Sequence, residues 1–290
     1  MYKLFASLIG VVIALMLTVN GVLAGKVGTM QTLPFIHVAG LVSVSLLLIF
    51  RKEKVEPRKI PLILNSAGLI GVFLVLLNNR CFESLGASLT LSLGILGQTI
   101  GSLLADSTGF LGVKKYKFDK RKYSGLFLLI LGVVVMTESW KGDLLNISFA
   151  FIAGVLVILS MIINSQLSLS VGIFHGVQRN YLVGLIGSII VLIILKVPLL
   201  DSLFLIPDIN PILLIGGGLL GVLVVAGINK TLPRIPVVYT TLLIFAGQAV
   251  AGILIDLFVL NEVSFRKVTG VLIILSGLFL NMMIDRSVFE

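Results

Sequence analysis

Charge is the scarcest commodity in this chain. Only 12% of its 290 residues are Asp, Glu, Lys or Arg, where a soluble domain usually carries ~25%. With 58% hydrophobic residues and a mean hydropathy of +1.16, most of the chain cannot face water, which excludes a purely soluble protein. The single cysteine, Cys81, permits no internal disulfide and makes no metal site alone. Two histidines are too few for histidine-rich metal chemistry. No HExxH, GxSxG, GxxxxGK[ST] or Cys-x-x-Cys pattern occurs, so the sequence offers no enzyme signature and no expected cofactor or metal. A nucleotide-driven pump is excluded too, because no stretch between the apolar runs is long enough for a nucleotide-binding domain.

What the chain has instead is long apolar runs. A membrane span needs roughly 20 mainly apolar residues. Ten runs qualify: 4–24, 33–50, 60–78, 86–106, 123–139, 147–168, 178–195, 211–229, 236–258 and 268–284. The first mimics a signal peptide, but its length and its internal repetition favour a retained span. The net charge of +9 lies in short loops, where lipid headgroups explain it better than nucleic acid does. With these spans, 16 of the 22 Lys and Arg residues fall on the side of the N-terminus, chiefly in 51–59 and 114–122. Lys and Arg stay cytoplasmic, so both termini are expected inside.

The chain also repeats itself in register. Asn20 recurs as Asn164, Gly28 as Gly172 and Gly40 as Gly184, at an offset of 144. Gly68, Gly71, Asn79, Gly97, Gln98 and Asp106 recur as Gly218, Gly221, Asn229, Gly247, Gln248 and Asp256, at an offset of 150. Gly125 and Gly132 recur as Gly270 and Gly277, at 145. Both changes of offset fall in loops, where insertions are tolerated. The fold class is therefore all-α integral membrane: two five-helix repeats, 1–145 and 146–290. An odd number of crossings per repeat inverts the second copy in the membrane.

Polar residues inside the spans are the candidate functional residues, and each admits two readings. Asn20 and Asn164 either line a solute cavity or hold helices together. His37 matches Tyr181; both rings could contact a solute, and His37 could carry a proton across. The alternative is a neutral histidine bonded to a backbone carbonyl. Asn79 and Asn229 are further cavity candidates, and Glu83 is either a solvated loop carboxylate or a cation or proton site. Gln98 stands between Gly97 and Gly101, and Gln248 between Gly247 and Ala251. Such small-residue strips let helices approach closely, so packing is favoured there over solute contact. Asp106 and Asp256, eight residues beyond each glutamine, are structural pairs or helix caps on one reading and gates or coupling sites on the other.

The run Gln98-Thr-Ile-Gly-Ser-Leu-Leu-Ala-Asp106 and its second copy Gln248-Ala-Val-Ala-Gly-Ile-Leu-Ile-Asp256 resemble the fourth span of the YdcZ-like family within the drug/metabolite transporter (DMT) superfamily. The spacing of Asn20 to Gly28 and of Asn164 to Gly172 resembles that family's first span. The family's second span is only partly matched at residues 37–40 and 181–184. Members are often single five-span proteins, so this chain resembles a fused duplicate. The resemblance implies a DMT/EamA-like fold of ten helices in a bacterial cytoplasmic membrane. It implies a secondary transporter of a small organic solute, with peripheral fifth and tenth spans able to support a homodimer. A neutral, cationic or amphiphilic solute suits so few charges. The competing classes are a passive channel or facilitator and a non-transporting membrane scaffold.

Overall fold

The computed structural model describes residues 2–51, 60–116, 120–136, 144–198, 206–255, 257 and 265–289. These form nine α-helices: α1 (Tyr2–Val27), α2 (Thr32–Phe50), α3 (Ala67–Thr108), α4 (Tyr123–Met136), α5 (Leu144–Val171), α6 (Ile173–Ile194), α7 (Pro211–Thr231), α8 (Val237–Ile255) and α9 (Phe265–Phe289). Six of them, α1, α2, α5, α6, α7 and α8, are long and apolar enough to cross a membrane; shorter apolar stretches lie at Ala67–Asn78, Tyr123–Val135 and Val268–Asn281.

Two features differ from the sequence reading. The expected break between the third and fourth spans is absent, and α3 stays helical for 42 residues. Straight, it would extend about 63 Å. The second copy does break, between α7 and α8, because Pro233 and Pro236 remove backbone donors there. Glu83 and Gly86 occupy the matching positions in α3, and neither forbids a helix. In addition, α6 starts at Ile173, five residues before the span expected at 178–195, so His175 is helical.

The helix faces are arranged for lipid. Ile193, Leu4, Phe50 and Phe279 are exposed, while Ser102, Asn164, Ser168, Ser188, Thr231 and Thr240 are buried. Lipid tails solvate leucine as well as a protein core does, so buried faces are selected for small residues and internal hydrogen bonds. Thr99, Thr231 and Thr241 donate to their own i−4 carbonyls, which satisfies their hydroxyls without water.

The chain divides into two compact units. Unit 1 holds Met1–Val11, Leu74–Ile158 and Arg234–Glu290; unit 2 holds Val12–Phe73 and Leu159–Pro233. Each unit draws on both sequence copies. Within unit 1, a Cβ on Gly10 would strike the Ile244 carbonyl and one on Gly154 the Gly94 carbonyl; Gly97 abuts Phe151 as Gly247 abuts Ser7. Gly132 lies on the Gly270 carbonyl and Gly277 on that of Gly125. Within unit 2, Gly218 abuts Gly40 and Gly68 abuts Gly184. Every one of these contacts occurs twice with the copies exchanged. This is inverted-repeat packing, and the glycines are what permit the close crossings.

The repeated Gly28 and Gly172 separate the first two helices of each copy, at φ +96° and +91°. Each donates its N–H four residues back, to Ala24 and Ser168, and accepts from Thr32 and Gly176. Gly172 has ψ 156°, a region essentially closed to L residues. Gly172→Ala is therefore expected to destabilise the fold by about 1–3 kcal/mol, read as a lower Tm in detergent, whereas Gly21→Ala, with nothing within 4 Å of the added methyl, should not.

Candidate functional site

The rings of α2 and α6 meet within unit 2. His37 and Tyr181 have centroids 6.0 Å apart with planes at 66°, an edge-on arrangement. Each ring rests on the glycine three residues beyond its partner: Tyr181 against Gly40, His37 against Gly184. Only glycine fits, since a methyl at either position would enter the facing ring. His37 Nδ1–H donates to the Leu33 carbonyl at 2.8 Å. A carbonyl can only accept, so Nδ1 carries a proton, and Nε2 is an acceptor whenever the ring is neutral. The Tyr181 hydroxyl donates to the Gly218 carbonyl at 3.3 Å and lies against Gly221.

Unit 2 also holds the asparagines that recur in sequence register. Asn20 Oδ1 lies against Gly217 on α7. Asn164 is 6% exposed and Asn229 is 2% exposed. Asn229 Nδ2 donates to Ser168 Oγ at 2.7 Å. The Oδ1 atoms of Asn20, Asn164, Asn180 and Asn229 are all buried without a hydrogen-bond partner. Unit 2 thus concentrates amide acceptors that call for donors. Ser168 and Asn180 were not singled out in the sequence, although Ser168 sits one turn beyond Asn164 on the same face of α5.

The acidic candidates behave differently. Asp106, in unit 1, is 4% exposed. Its Oδ1 accepts from the Val237 N–H at 2.8 Å and its Oδ2 from the Val238 N–H at 2.9 Å. The carboxylate therefore caps the start of α8, where unpaired N–H groups and the helix dipole favour negative charge. Burial, helped by the Asp106 carboxylate, holds the Tyr116 phenol above its ordinary range. Asp256 and the side chains of Asn79 and Glu83 lie outside the described residues.

The glutamine strips lie on crossing faces of unit 1. A methyl on Gly154 would press on the Gln98 N–H, and one on Gly10 on the Gln248 N–H. Gly101 meets Val155 and Ile158 at ordinary contact distance, and Ala251 is buried. Among the described residues no group of three or more His, Cys, Asp or Glu could hold a metal ion.

A family model described as "Putative inner membrane exporter, YdcZ" matches residues 1–135 and 145–280. The chain belongs to the YdcZ family. It is accordingly a multi-pass membrane protein of the transporter type within the DMT superfamily, and not an enzyme. The two matched segments start 144 residues apart, the offset of the Asn20 and Asn164 repeat. A solved structure described as "Crystal structure of protein" has a TM-score of 0.71 at 14% identity, covering 98% of this chain and 99% of the other. At that identity the likeness concerns the fold alone. No curated protein sequence matches the chain.

Proposed function

We infer that this protein is a secondary active transporter that exports a small organic solute across the bacterial cytoplasmic membrane by alternating access. The carrying observation is the reciprocal seating of His37 on Gly184 and Tyr181 on Gly40. Inverted halves that hold each other through exchanged contacts can interconvert by swapping conformations around a shared site. The repeats are 1–145 and 146–290, ten spans in all, with both termini cytoplasmic by the distribution of Lys and Arg. Asn20, His37, Asn79, Asn164, Tyr181 and Asn229 are the solute contacts of this reading. Glu83, Asp106 and Asp256 are its gating or coupling groups, and His37 is its proton carrier.

The test is a thermal-stability screen of the purified protein against metabolite and drug libraries at two pH values, followed by counterflow of each stabiliser across liposomes. The expected result is a solute that raises Tm and shows counterflow, with both effects lost in Asn164→Ala. A stabiliser that never crosses the membrane points to a scaffold. Flux without counterflow points to a channel. Flux indifferent to an imposed pH gradient removes the proton from the mechanism.

A further inference from the structure

Unit 1 holds one seam twice, with different chemistry each time. In the first, the start of α5 meets the middle of α3. Asn146 Nδ2 donates to Ser84 Oγ at 2.7 Å, and Arg80 Nε donates to Asn146 Oδ1 at 3.2 Å. The family match starts at residues 1 and 145, so the twin of Asn146 is Tyr2. The twin of Ser84, at the offset of 150, is Arg234. There the Arg234 guanidinium lies over the Tyr2 ring, 5.0 Å from its centroid. At the next residue, Lys3 Nζ lies 5.5 Å from the centroid of the Tyr239 ring. The twins of Lys3 and Tyr239 are Ile147 and Leu89. A neutral amide and hydroxyl therefore suffice to pair the two segments. Arg80 has a cation as its own twin, Lys230, so that charge is common to both copies. Lys3 and Arg234 are the charges that the second seam adds.

A ring face attracts a cation without neutralising it. Among the described side chains of unit 1 the one carboxylate is Asp106. Its two oxygens accept from the N–H groups of Val237 and Val238, three and four residues past Arg234. The Asp106 carbonyl accepts from the Tyr116 N–H at 2.8 Å, and Lys114 Nζ lies 5.5 Å from the centroid of the Tyr116 ring. Lys3, Arg234 and Lys114 thus stand along one connected set of contacts with a single described carboxylate, and positive charge is in excess. Apolar surface begins directly beyond them. Leu4 is 70% exposed and Leu8 is 52% exposed, and the two share a face of α1 one turn apart. Tyrosines such as Tyr2 and Tyr239 suit the depth of lipid headgroups.

We propose that the seam between the start of α1 and the start of α8 binds the headgroup of an anionic phospholipid, with Lys3 and Arg234 as its cations and the acyl chains along Leu4 and Leu8. Basic residues at the membrane surface draw anionic lipid, and lysine and arginine extend their charged ends to headgroup depth while their stems stay on apolar surface. A free anion would use the cations alone. A phospholipid uses the cations and the exposed leucines together. The site is independent of any solute, so it holds for a transporter and for a scaffold alike.

The experiment measures the Tm of the full-length protein in detergent with added phosphatidylglycerol, with phosphatidylcholine of the same chains, and with inorganic phosphate. Lys3→Gln and Arg234→Gln remove the two charges. Arg266→Gln is the control. It removes an exposed charge at the far end of α9 from Asn281, whose carbonyl accepts from the Tyr239 hydroxyl at 3.1 Å. Phosphatidylglycerol is expected to raise the native Tm more than either other addition does. The excess should fall by about half or more in each seam variant and persist in Arg266→Gln. Lys3→Arg and Arg234→Lys keep the charge and should keep the excess, which separates loss of the lipid from damage to the fold. An excess untouched in either glutamine variant overturns the site. An equal fall in Arg266→Gln means attraction to diffuse charge and overturns it too. An equal rise from phosphatidylcholine shows that charge is not read, and an equal rise from inorganic phosphate shows a free-anion site; each refutes the proposal.

Discussion

Asp106→Ala should be the most damaging single substitution among the polar residues described. The native carboxylate accepts two backbone N–H bonds at 2.8 and 2.9 Å from consecutive residues at the start of α8. Hydrogen bonds to a charged group are worth about 1.5–3 kcal/mol each, and a buried donor left alone costs its full desolvation. Alanine removes both acceptors from two N–H groups with no helical partner. The expected loss is about 3 kcal/mol or more, a fall in Tm on the order of 10 °C. Asp106→Asn keeps one acceptor oxygen and should lose about half as much. Thermal unfolding in detergent, followed by the loss of monodisperse protein, measures both. If alanine and asparagine were equally mild, the cap would not be holding α8. If asparagine left Tm unchanged but abolished flux, the coupling role of the carboxylate would be separate from its capping of α8.

Gly97→Ala and Gly247→Ala should be the most damaging small changes. A methyl at Gly97 lands on the carbonyl oxygen of Phe151, and one at Gly247 on that of Ser7. A flexible side chain could swing aside, but these obstacles are helical backbone, so whole helices must separate. Overpacking costs of 1–3 kcal/mol or slightly more are typical, and a shift of backbone places these sites at about the top of that range. The double variant disturbs both twin crossings and should cost roughly the sum, since the two crossings share no residue. Gly25→Ala is the control: a methyl there meets nothing within 4 Å, and alanine favours the helix over glycine by about 0.5–1 kcal/mol. A Tm for Gly97→Ala that matched this control would mean that α3 and α5 do not cross as closely as the structure has them.

Much of this arrangement was legible in the sequence because glycine leaves few alternatives. The pairs Gly28 and Gly172, Gly40 and Gly184, and Gly97 and Gly247 were visible as a repeat. The structure shows the reason for each: a positive φ, a ring seat and a close crossing. The distant partners were not legible. Asp106 lies beside a basic loop in sequence, yet its acceptors serve Val237 and Val238, more than a hundred residues away. Local spacing carries no record of a cap supplied from so far off. The continuity of α3 was missed because Asn78, Asn79 and Arg80 read as the end of a span. Polarity marks where a chain leaves the membrane, but only proline or a special backbone angle stops the helix itself. The contrast between Gly71, where an added methyl meets nothing within 4 Å, and its twin Gly221, where it meets the Tyr181 hydroxyl, was also missed.

The composition of the two compact units governs how the protein is made. Unit 2 needs residues up to Pro233, and unit 1 needs Arg234–Glu290 together with Met1–Val11. A ribosome that has finished the first copy has therefore completed neither unit. Its glycine faces, such as Gly10 and Gly94, await partners not yet translated, because those partners are Ile244 and Gly154. Helices must enter the bilayer first and find their neighbours afterwards. During biogenesis the nascent first half consequently presents bare small-residue faces to lipid and to any chaperone of the insertion machinery. A chain interrupted after the first copy would be left with those same faces uncovered.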